Sequence, residues 1–447
     1  MKRWYADLAW LGGQRAQAGV LIEADGDLIR SVTAGAARPP EAVHLAGLTL
    51  PGLANAHSHA FHRALRGRTQ GARGTFWSWR EQMYAVSERL DPDTYYSLAR
   101  ATYAEMALAG VTCVGEFHYL HHGPGGTPYA DPNAMGAALL AAAADAGIRI
   151  TLLDTSYLAG GFDVALAGQQ LRFGDRSAEG WAARVAGLPA GPQARIGAAI
   201  HSVRAVPAEA LGAVAAWARE RGAPLHVHVS EQPAENADCL AAHGCTPVEL
   251  LHEHGVLGPE STAVHATHLR DADVSLLAAT GTAVCLCPTT ERDLADGIGP
   301  ARVLADAGVP LCLGSDSHAV IDLLEEARAV ELDERLARRS RGHWRGDELL
   351  VAACAAGHAA LGWPEAGWIE AGSLADFVTV DLTGVRTAGV GSDHALDAAV
   401  FAATAADIRD VVVGGQRIVE AGRHASIGDV AGELSAAISA VGNPPNG

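Results

Sequence analysis

A pair of histidines two residues apart is the first feature of this sequence that could do chemistry. His57 and His59 stand in the segment NAHSHAF, at the end of an apolar run. On an extended backbone, side chains two residues apart point to the same face about 7 Å from each other, so one metal ion can contact both. In a chain with 20 histidines such a pair is weak evidence by itself. Two polar residues at a strand end are the plain alternative.

Further candidate ligands follow later apolar runs. The segment HVHVSE supplies His228 and Glu231, and LGSDSH supplies Asp316. Three imidazoles and one carboxylate, with one position left for water, suit Zn²⁺ or Fe²⁺. We therefore predict one divalent metal ion held by His57, His59, His228 and Asp316.

Nearby residues could move protons in a hydrolysis at such an ion. The ion would lower the pKa of its water towards about 7, and Asp316 is the expected base. Glu231 is expected to pass a proton to a leaving nitrogen, as general acid-base catalysis requires, although a surface loop carboxylate is the plain alternative. His265, in TAVHATHL, is either a further ligand or, as we favour, a hydrogen-bonding partner of the attacking oxygen and the attacked carbon.

Three other histidines near these motifs are expected to have supporting roles. His226 precedes His228 by two residues and is predicted to be a hydrogen-bonded core residue. His268 is predicted to be a structural loop residue. His318 follows Asp316 closely and is expected to orient it.

The elements that carry these motifs alternate between β-strands and α-helices. Apolar, β-rich runs occur at 48–57, 111–117, 148–155, 195–201, 223–230, 262–267, 282–287 and 309–315. Ala-rich stretches between them, such as AMGAALLAAAADAG, are suited to helices and end in Gly. This alternation predicts an α/β protein with a (β/α)8 TIM barrel.

The two ends of the chain show short alternating strands with Gly turns, typical of a small β-sandwich domain built from both termini. We predict that 1–50 and 371–447 form this domain and that 51–370 form the metal-dependent barrel. The long segment FHRALRGRTQGARGTFWSWREQMY follows the first barrel strand. A loop of this length at the mouth of a barrel is predicted to be a lid or a substrate wall.

Composition excludes several classes of partner. The chain has 33 basic and 51 acidic side chains, a net charge of -18, which disfavours nucleic acid and anionic membranes. A small anionic substrate remains compatible, because a few arginines in a pocket act at contact range. The seven cysteines form no disulfide framework or zinc-finger spacing, and no signal peptide or membrane span is apparent. We therefore expect a soluble, cytoplasmic protein.

The motifs together resemble the amidohydrolase superfamily: HSH, HVSE, HATH and GSD each follow a predicted barrel strand. Within it the chain is similar to the formimidoylglutamate deiminase family in AHSHAFHRALRGR, GTFWSWREQMY, GEFHYLHH, HVSEQPAEN and VHATHL. The resemblance runs over essentially the whole chain. It implies hydrolysis of N-formimino-L-glutamate to N-formyl-L-glutamate and ammonia at a single Zn²⁺, in histidine degradation, and it implies a homodimer.

The resemblance also implies roles for particular residues of this sequence. It assigns the same four metal ligands and places proton handling on Glu231 and His265. It implies substrate contacts at Arg80, Tyr119, His201 and Arg204. Guanidinium groups in an acidic protein agree with a substrate that carries two carboxylates, and solvated surface arginines are the plain alternative.

One position departs from the family pattern, which often has Gln where this chain has His62. The His62 ring could donate a hydrogen bond to substrate, and it could also narrow the pocket.

Two other functions stay open on the sequence. A related deaminase could act on a heterocycle of the guanine or cytosine type, and it would need aromatic stacking and amide contacts. A catalytically silent scaffold would be expected to have lost some ligands, and none is missing here.

Overall fold

The computed structural model describes residues 1–71 and 73–442. Within these residues the strands are β1 (Lys2–Ala9), β2 (Gln17–Asp25), β3 (Leu28–Thr33), β4 (Val43–Pro51), β5 (Leu53–Ser58), β6 (Val111–His118), β7 (Arg149–Ser156), β8 (Ala194–Ile200), β9 (Leu225–Val229), β10 (Ser261–His265), β11 (Ala283–Leu286), β12 (Leu311–Leu313), β13 (Phe377–Val380), β14 (Ile408–Val413), β15 (Gln416–Glu420) and β16 (Arg423–His424). The α-helices are α1 (Phe76–Ser87), α2 (Pro92–Leu108), α3 (Ala134–Ala146), α4 (Ala178–Val185), α5 (Ala208–Arg221), α6 (Pro233–His243), α7 (Pro247–Glu253), α8 (Asp271–Thr280), α9 (Pro288–Asp293), α10 (Ala301–Asp306), α11 (Leu323–Arg338), α12 (Gly346–Val351), α13 (Gly357–Ala360), α14 (Ala395–Phe401) and α15 (Val430–Val441). A π-helical turn at Ala352–Ala356 joins α12 to α13.

Strands β5 to β12 form a parallel sheet in chain order, which confirms the predicted (β/α)8 barrel. The sheet closes where the chain after β12 returns to β5 through a parallel bridge between Ser58 and Asp316. The backbone N–H of Asp316 donates to the carbonyl of His57 at 3.0 Å. Two predicted metal ligands thus lie on the seam between the first and last barrel strands.

The first predicted strand, 48–57, is divided between two sheets in the structure. Residues 48–51 end β4, which pairs with β1 and β13 outside the barrel. The barrel strand β5 begins only at Leu53. Only Gly52 separates the two strands, and neither the apolar run nor its period shows that the chain changes sheets there.

The helices begin and end at residues suited to these positions. Helix α2 starts after Asp91, whose carboxylate accepts the backbone N–H of Thr94 at 2.8 Å. Asp is a preferred cap because it satisfies a donor that the first turn leaves free, and Pro92 fits the first helical position. Helix α3, one of the Ala-rich stretches, ends at Gly147 with a φ of 78°. Glycine adopts this left-handed conformation without the penalty that a Cβ brings.

Strands from both ends of the chain form one sheet, in the order β16-β15-β14-β13-β4-β1-β2-β3. This confirms the composite terminal sheet expected from the sequence. Trp4 and Phe377 lie in its own apolar cluster, with ring centroids 5.5 Å apart. At its junction with the barrel, Arg149 at the start of β7 donates to Asp376 at 2.6 and 3.0 Å, and both side chains are buried. Breaking one partner of a buried pair is costly because a charge is left uncompensated.

None of the helices in 1–71 and 73–442 is long and apolar enough to cross a bilayer. All seven cysteines lie within these ranges and are free thiols.

The barrel seam is tight at Gly314, directly after β12. A Cβ added there would lie 2.6 Å from the Cβ of His57 and 2.9 Å from its backbone N and O. These distances are far below van der Waals contact, and backbone atoms inside a closed barrel have little room to move. A residue without a side chain is therefore required where β12 meets the first ligand strand.

We expect Gly314→Ala to destabilise the fold by about 3 kcal/mol, the upper end of overpacking costs, and to weaken metal binding because His57 is displaced. Urea unfolding and metal content of the purified variant measure the two effects. Gly258→Ala is the matched control, because its added Cβ meets nothing within 4 Å. Equal stability of both variants would show that the seam is not constrained in this way.

Candidate metal centre and active site

The predicted ligands converge at the carboxyl-terminal mouth of the barrel, where parallel barrels carry their sites. His57 lies in β5, His59 directly after it, His228 in β9, and Asp316 beyond β12. His57 Nε2 and His59 Nε2 each lie 3.3 Å from Asp316 Oδ1. His228 Nε2 lies 3.0 Å from His57 Nε2. Possible ligand atoms of His57, His228, His265 and Asp316 lie within 4.8 Å of one another, and those of His59, His62 and Asp316 form a second such group that shares Asp316.

Backbone carbonyls orient two of the imidazoles. His59 Nδ1 pairs with the carbonyl of Phe117 at 2.9 Å, and His228 Nδ1 pairs with the carbonyl of His201 at 2.9 Å. Each bond uses Nδ1, so Nε2 of the ring faces the centre and could bind a metal ion. Support of this kind is typical of metal-binding histidines.

The electrostatics of the centre keep the imidazoles neutral. Burial, reinforced by the neighbouring imidazoles, holds the pKa of His57 and of His228 well below the usual value. Neutral imidazoles are the form that binds a metal. Burial alone would raise the pKa of Asp316, but His265, His59 and His228 lower it overall, so this carboxylate is ionised. The donor set therefore fits a divalent cation.

Glu231 and His265 lie beside this centre. His265 Nε2 is 3.8 Å from Glu231 Oε1 and 3.7 Å from Asp316 Oδ2, which places the ring between the two carboxylates. Burial raises the pKa of Glu231 to about 7, a value suited to giving and taking protons at neutral pH. Burial would lower the pKa of His265, but the carboxylate of Glu231 raises it above the usual value.

Several residues at the strand ends adopt a left-handed backbone conformation, which is costly for residues with a side chain. They are Ser230, His265, Ala266, Asp316 and His318, with φ between 39° and 69°. These turns reverse the chain at the barrel mouth and direct the side chains inward. Strain of this kind is concentrated at the candidate site.

The predicted substrate residues line one pocket above the metal centre. The pocket has a volume of about 580 Å³ counted to its open mouth, and its wall includes His62, Arg80, Tyr119, His201 and Arg204. His62 Nε2 shares a hydrogen bond of 2.9 Å with the Tyr119 hydroxyl. The His62 ring therefore supports Tyr119 and lines the pocket.

The two arginines of the wall differ in their partners. Arg204 Nε donates to the carboxylate of Glu235 at 2.9 Å. The Arg80 guanidinium lies over the rings of Trp77 at 4.6 Å and Tyr84 at 5.5 Å. Among the described residues Arg80 has no carboxylate partner. An unpaired cation at the wall of a pocket favours an anionic ligand.

The other histidines have supporting contacts. His226 Nε2 pairs with the carbonyl of Ala360 at 2.9 Å, and His268 Nε2 pairs with the carbonyl of Asp296 at 2.8 Å. The expectation for His318 is wrong in its partner. Its ring lies 3.1 Å from the hydroxyls of Ser315 and Ser58, not against the Asp316 carboxylate. The positive φ at residues 316 and 318 turns this ring back towards β5.

Away from the barrel mouth, a third group of side chains that could hold a metal ion is formed by His118, His121 and Asp154. Its carboxylate is already used, because Arg184 donates to both oxygens at 2.9 and 2.7 Å and Trp181 donates at 3.0 Å. A guanidinium on the only carboxylate opposes a divalent cation. We interpret this group as a buried polar contact behind the pocket.

Sequence reasoning missed several residues of the site. An aromatic and apolar wall is contributed by Phe76, Trp79, Met83, Tyr84, Tyr157, Phe173 and Leu294. Glu291 accepts the backbone N–H of Cys287 at 2.9 Å and lies 3.4 Å from His265 Nδ1. Only the segment GTFWSWREQMY had pointed to part of this wall. Tyr157, Phe173 and Glu291 carry no motif that separates them from ordinary core and loop residues.

Helix α1 forms one side of the pocket, as expected for the long segment after the first barrel strand. It contributes Phe76, Trp79, Arg80, Met83 and Tyr84 to the wall. Residue 72 of this segment lies outside the described residues. The segment forms part of the pocket wall in this structure, and its roles as a substrate wall or a lid stay predictions.

Comparison with known proteins adds independent information. Residues 48–418 match the amidohydrolase family. A formimidoylglutamate deiminase from Pseudomonas aeruginosa is 36% identical over 397 residues, covering 86% of this chain and 87% of that protein. A 5-methylthioadenosine/S-adenosylhomocysteine deaminase from Natronomonas pharaonis is 28% identical, covering 83% of this chain and 81% of that protein.

Solved structures share the whole architecture. An amidohydrolase from Brucella melitensis has a TM-score of 0.89 and 35% identity, covering 99% of this chain and all of the other. Atrazine chlorohydrolase from Arthrobacter aurescens, solved in complex with zinc, has a TM-score of 0.86 and 25% identity and covers 99% of this chain and 100% of that chain. These likenesses extend over both the barrel and the terminal sheet.

We expect His228→Ala to lose the bound divalent ion, because it removes one of the converging nitrogens. Metal content per folded chain, measured by plasma mass spectrometry, reports the loss. His226→Ala is the matched control, since His226 lies in the same strand and is also buried but bonds to Ala360. Full metal content in the His228 variant would remove this residue from the ligand set.

Proposed function

We propose that this chain, which belongs to the amidohydrolase family, hydrolyses N-formimino-L-glutamate to N-formyl-L-glutamate and ammonia. Family membership establishes a hydrolase of C–N bonds. Members of the family bind a divalent metal, and side chains at the barrel mouth could hold one here. The observation that supports this particular substrate is the pair of guanidiniums, Arg80 and Arg204, in the wall of a pocket whose base is the metal centre. A substrate with two carboxylates and one amidine matches both parts of the site.

The metal in this proposal is zinc. Three imidazole nitrogens and one carboxylate form a mixed donor set that suits Zn²⁺, and Fe²⁺ takes similar ligands. His57, His59, His228 and Asp316 would hold the ion, which when bound supplies a water of lowered pKa. The zinc in the related chlorohydrolase supports the same choice.

The side chains then account for the proton transfers. A water oxygen forms a bond to the formimino carbon while its proton passes to the Asp316 carboxylate. Protonated Glu231 gives its proton to the terminal nitrogen, so that the C=N bond becomes a C–N single bond. Asp316 then gives its proton to the same nitrogen, the C–N bond breaks as the C=O bond forms, ammonia leaves, and the hydroxyl proton of the former water returns to Glu231. His265, between the two carboxylates, donates a hydrogen bond to the oxygen that attacks. In the net reaction, the two protons of the water and the terminal nitrogen with its own hydrogen form ammonia. The water oxygen ends in the formyl product.

Substrate binding rests on charge and on hydrogen bonds at the wall. Arg80 and Arg204 would bind the carboxylates of the glutamate moiety, because guanidinium groups make strong paired contacts with carboxylates. Tyr119 and His201 line the same wall, and burial holds the pKa of His201 well below the usual value, so its ring is neutral. Neutral groups here would orient the substrate without adding charge.

A second candidate function is deamination of a heterocycle. The aromatic side chains of Phe76, Trp79, Tyr84, Tyr157 and Phe173 offer stacking surfaces that such a substrate needs. The nucleoside deaminase relative favours the same reaction class. The unpaired Arg80 opposes this alternative, because a neutral ring leaves its charge without a partner in the pocket.

Ammonia release from four substrates tests the proposal. We expect turnover of N-formimino-L-glutamate and at least about 100-fold lower kcat/KM for cytosine, guanine and imidazolonepropionate, because only the first brings two carboxylates to the arginines. Chelation of the ion should abolish turnover, and added Zn²⁺ should restore it. Faster hydrolysis of guanine or cytosine would favour the second candidate, and turnover that survives metal removal would contradict the metal-dependent mechanism.

Arg204→Met should raise KM for N-formimino-L-glutamate about 10- to 150-fold, the equivalent of losing about 1.5 to 3 kcal/mol from a charged contact. Because Arg204 does not touch the reacting carbon in this proposal, kcat should change much less. Steady-state kinetics separate the two constants. An unchanged KM would exclude Arg204 from substrate binding.

A further inference from the structure

We propose that Glu235 is a positioning residue that connects substrate recognition to proton transfer. Its two carboxylate oxygens bind different parts of the active site, the guanidinium of Arg204 and the turn that carries Glu231. The inference rests on the proposed function, because it treats Arg204 as a substrate ligand and Glu231 as the proton carrier.

The contacts of Glu235 divide evenly between its oxygens. Oε2 accepts from Arg204 Nε at 2.9 Å, and Oε1 accepts from the backbone N–H of Ser230 at 2.8 Å. Glu235 is 1% exposed and lies in the first turn of α6, where the helix dipole stabilises a carboxylate. A buried carboxylate with a charge-assisted bond to each side is held in one geometry. It therefore transmits the position of one partner to the other.

The turn at Ser230 determines where Glu231 points. Strand β9 ends at Val229, and Ser230 reverses the chain with a φ of 53°. A residue with a side chain needs support to stay in this conformation. Glu235 accepts the backbone N–H of Ser230, and the carbonyl of Ser230 accepts the backbone N–H of His268 at 3.0 Å. Glu231 follows directly and lies beside His265, so loss of the Glu235 bond would release the residue before the proton carrier.

The same carboxylate determines which edge of Arg204 faces the pocket. Glu235 occupies Nε, and the two terminal nitrogens of Arg204 have no hydrogen bond to other described residues. Burial alone would lower the pKa of Arg204, but Glu235 raises it above the usual value. Arg204 thus keeps its charge, with two donors left for a substrate carboxylate. The catalytic and recognition groups are placed relative to each other by one side chain.

The test compares a substrate that has carboxylates with one that has none. Glu235→Met removes both acceptor oxygens at similar side-chain length. For N-formimino-L-glutamate we expect KM to rise about 10-fold through Arg204 and kcat to fall about 10-fold through Glu231. For N-butylformamidine, which cannot use Arg204, we expect kcat/KM to fall only about 10-fold. A loss in kcat/KM that is confined to N-formimino-L-glutamate would overturn the connection. An equal loss in kcat/KM for both substrates, or no loss for either, would also overturn it.

Glu235→Gln gives a second measurement if the Met variant does not fold. Its amide has one acceptor oxygen, so one of the two bonds survives. We expect either KM or kcat for N-formimino-L-glutamate to change about 10-fold while the other stays within about 2-fold. Unchanged kinetics would show that neither bond positions an active-site group.

Glu331→Met is the matched control for the Met variant. Glu331 is also a fully buried helix carboxylate that accepts from an arginine Nε, that of Arg335 at 2.6 Å, and from backbone N–H groups, those of Gly342 and Trp344. It lies on α11 and is not part of the pocket wall. We expect it to reduce thermal stability without altering KM or kcat. If KM and kcat of this control changed as much as those of Glu235→Met, the effect of Glu235→Met would be explained by general destabilisation.

A crystal structure of the Glu235 variant separates failure of this inference from failure of the proposed function. If the wild-type protein does not release ammonia from N-formimino-L-glutamate, the proposed function is wrong. Displacement of both the Arg204 guanidinium and the Ser230 turn would still support the positioning role. Both groups in their original places would overturn it, whatever the substrate is.

Discussion

The contact between the first and last barrel strands is the constraint on which the candidate site depends. Gly314 lets the chain after β12 approach His57 closely, and the backbone of Asp316 bonds to both His57 and the residue His59. The same few atoms close the barrel and bring ligands from opposite ends of the barrel sequence to one point. Because backbone contacts set this approach, the relative placement of His57 and Asp316 follows from closure of the barrel. Closure of the barrel and assembly of the centre therefore require the same contact.

Above this centre, the pocket wall carries positive charges although the chain as a whole is negatively charged. The chain carries a net charge of -18, yet the wall of the pocket presents two guanidiniums. Arg80 is held by the faces of Trp77 and Tyr84, and Arg204 is held by Glu235. Aromatic faces attract a cation without neutralising its charge, so Arg80 stays available to an anion. The net negative charge of the chain and the two guanidiniums of the pocket wall support the proposal of a small anionic substrate.

Much of the barrel and the site could be predicted from the sequence, because their signals are local. Strand runs, glycine stops and the two-residue spacing of His57 and His59 lie in short segments. The fold class is confirmed on this basis, and the predicted ligand set stays a prediction, with His265 as near to His57, His228 and Asp316 as they are to one another. The aromatic wall with Tyr157 and Phe173 could not be predicted, since each of these residues looks like an ordinary core residue in its own segment. The partner of His318 was wrong for a similar reason, because a turn at positive φ redirected its ring.

By itself the sequence determined which residue types stand at the strand ends, and therefore the chemistry that was available. Side-chain period and strand direction are properties of neighbouring residues, so they can be read along the chain. Only the tertiary structure decided which of these groups meet: the seam at Gly314, the bond between Arg204 and Glu235, and the placement of Glu291 near His265. These contacts join residues between 26 and 257 positions apart or turn on a single backbone angle. They depend on the packing of the whole barrel, which no local pattern specifies.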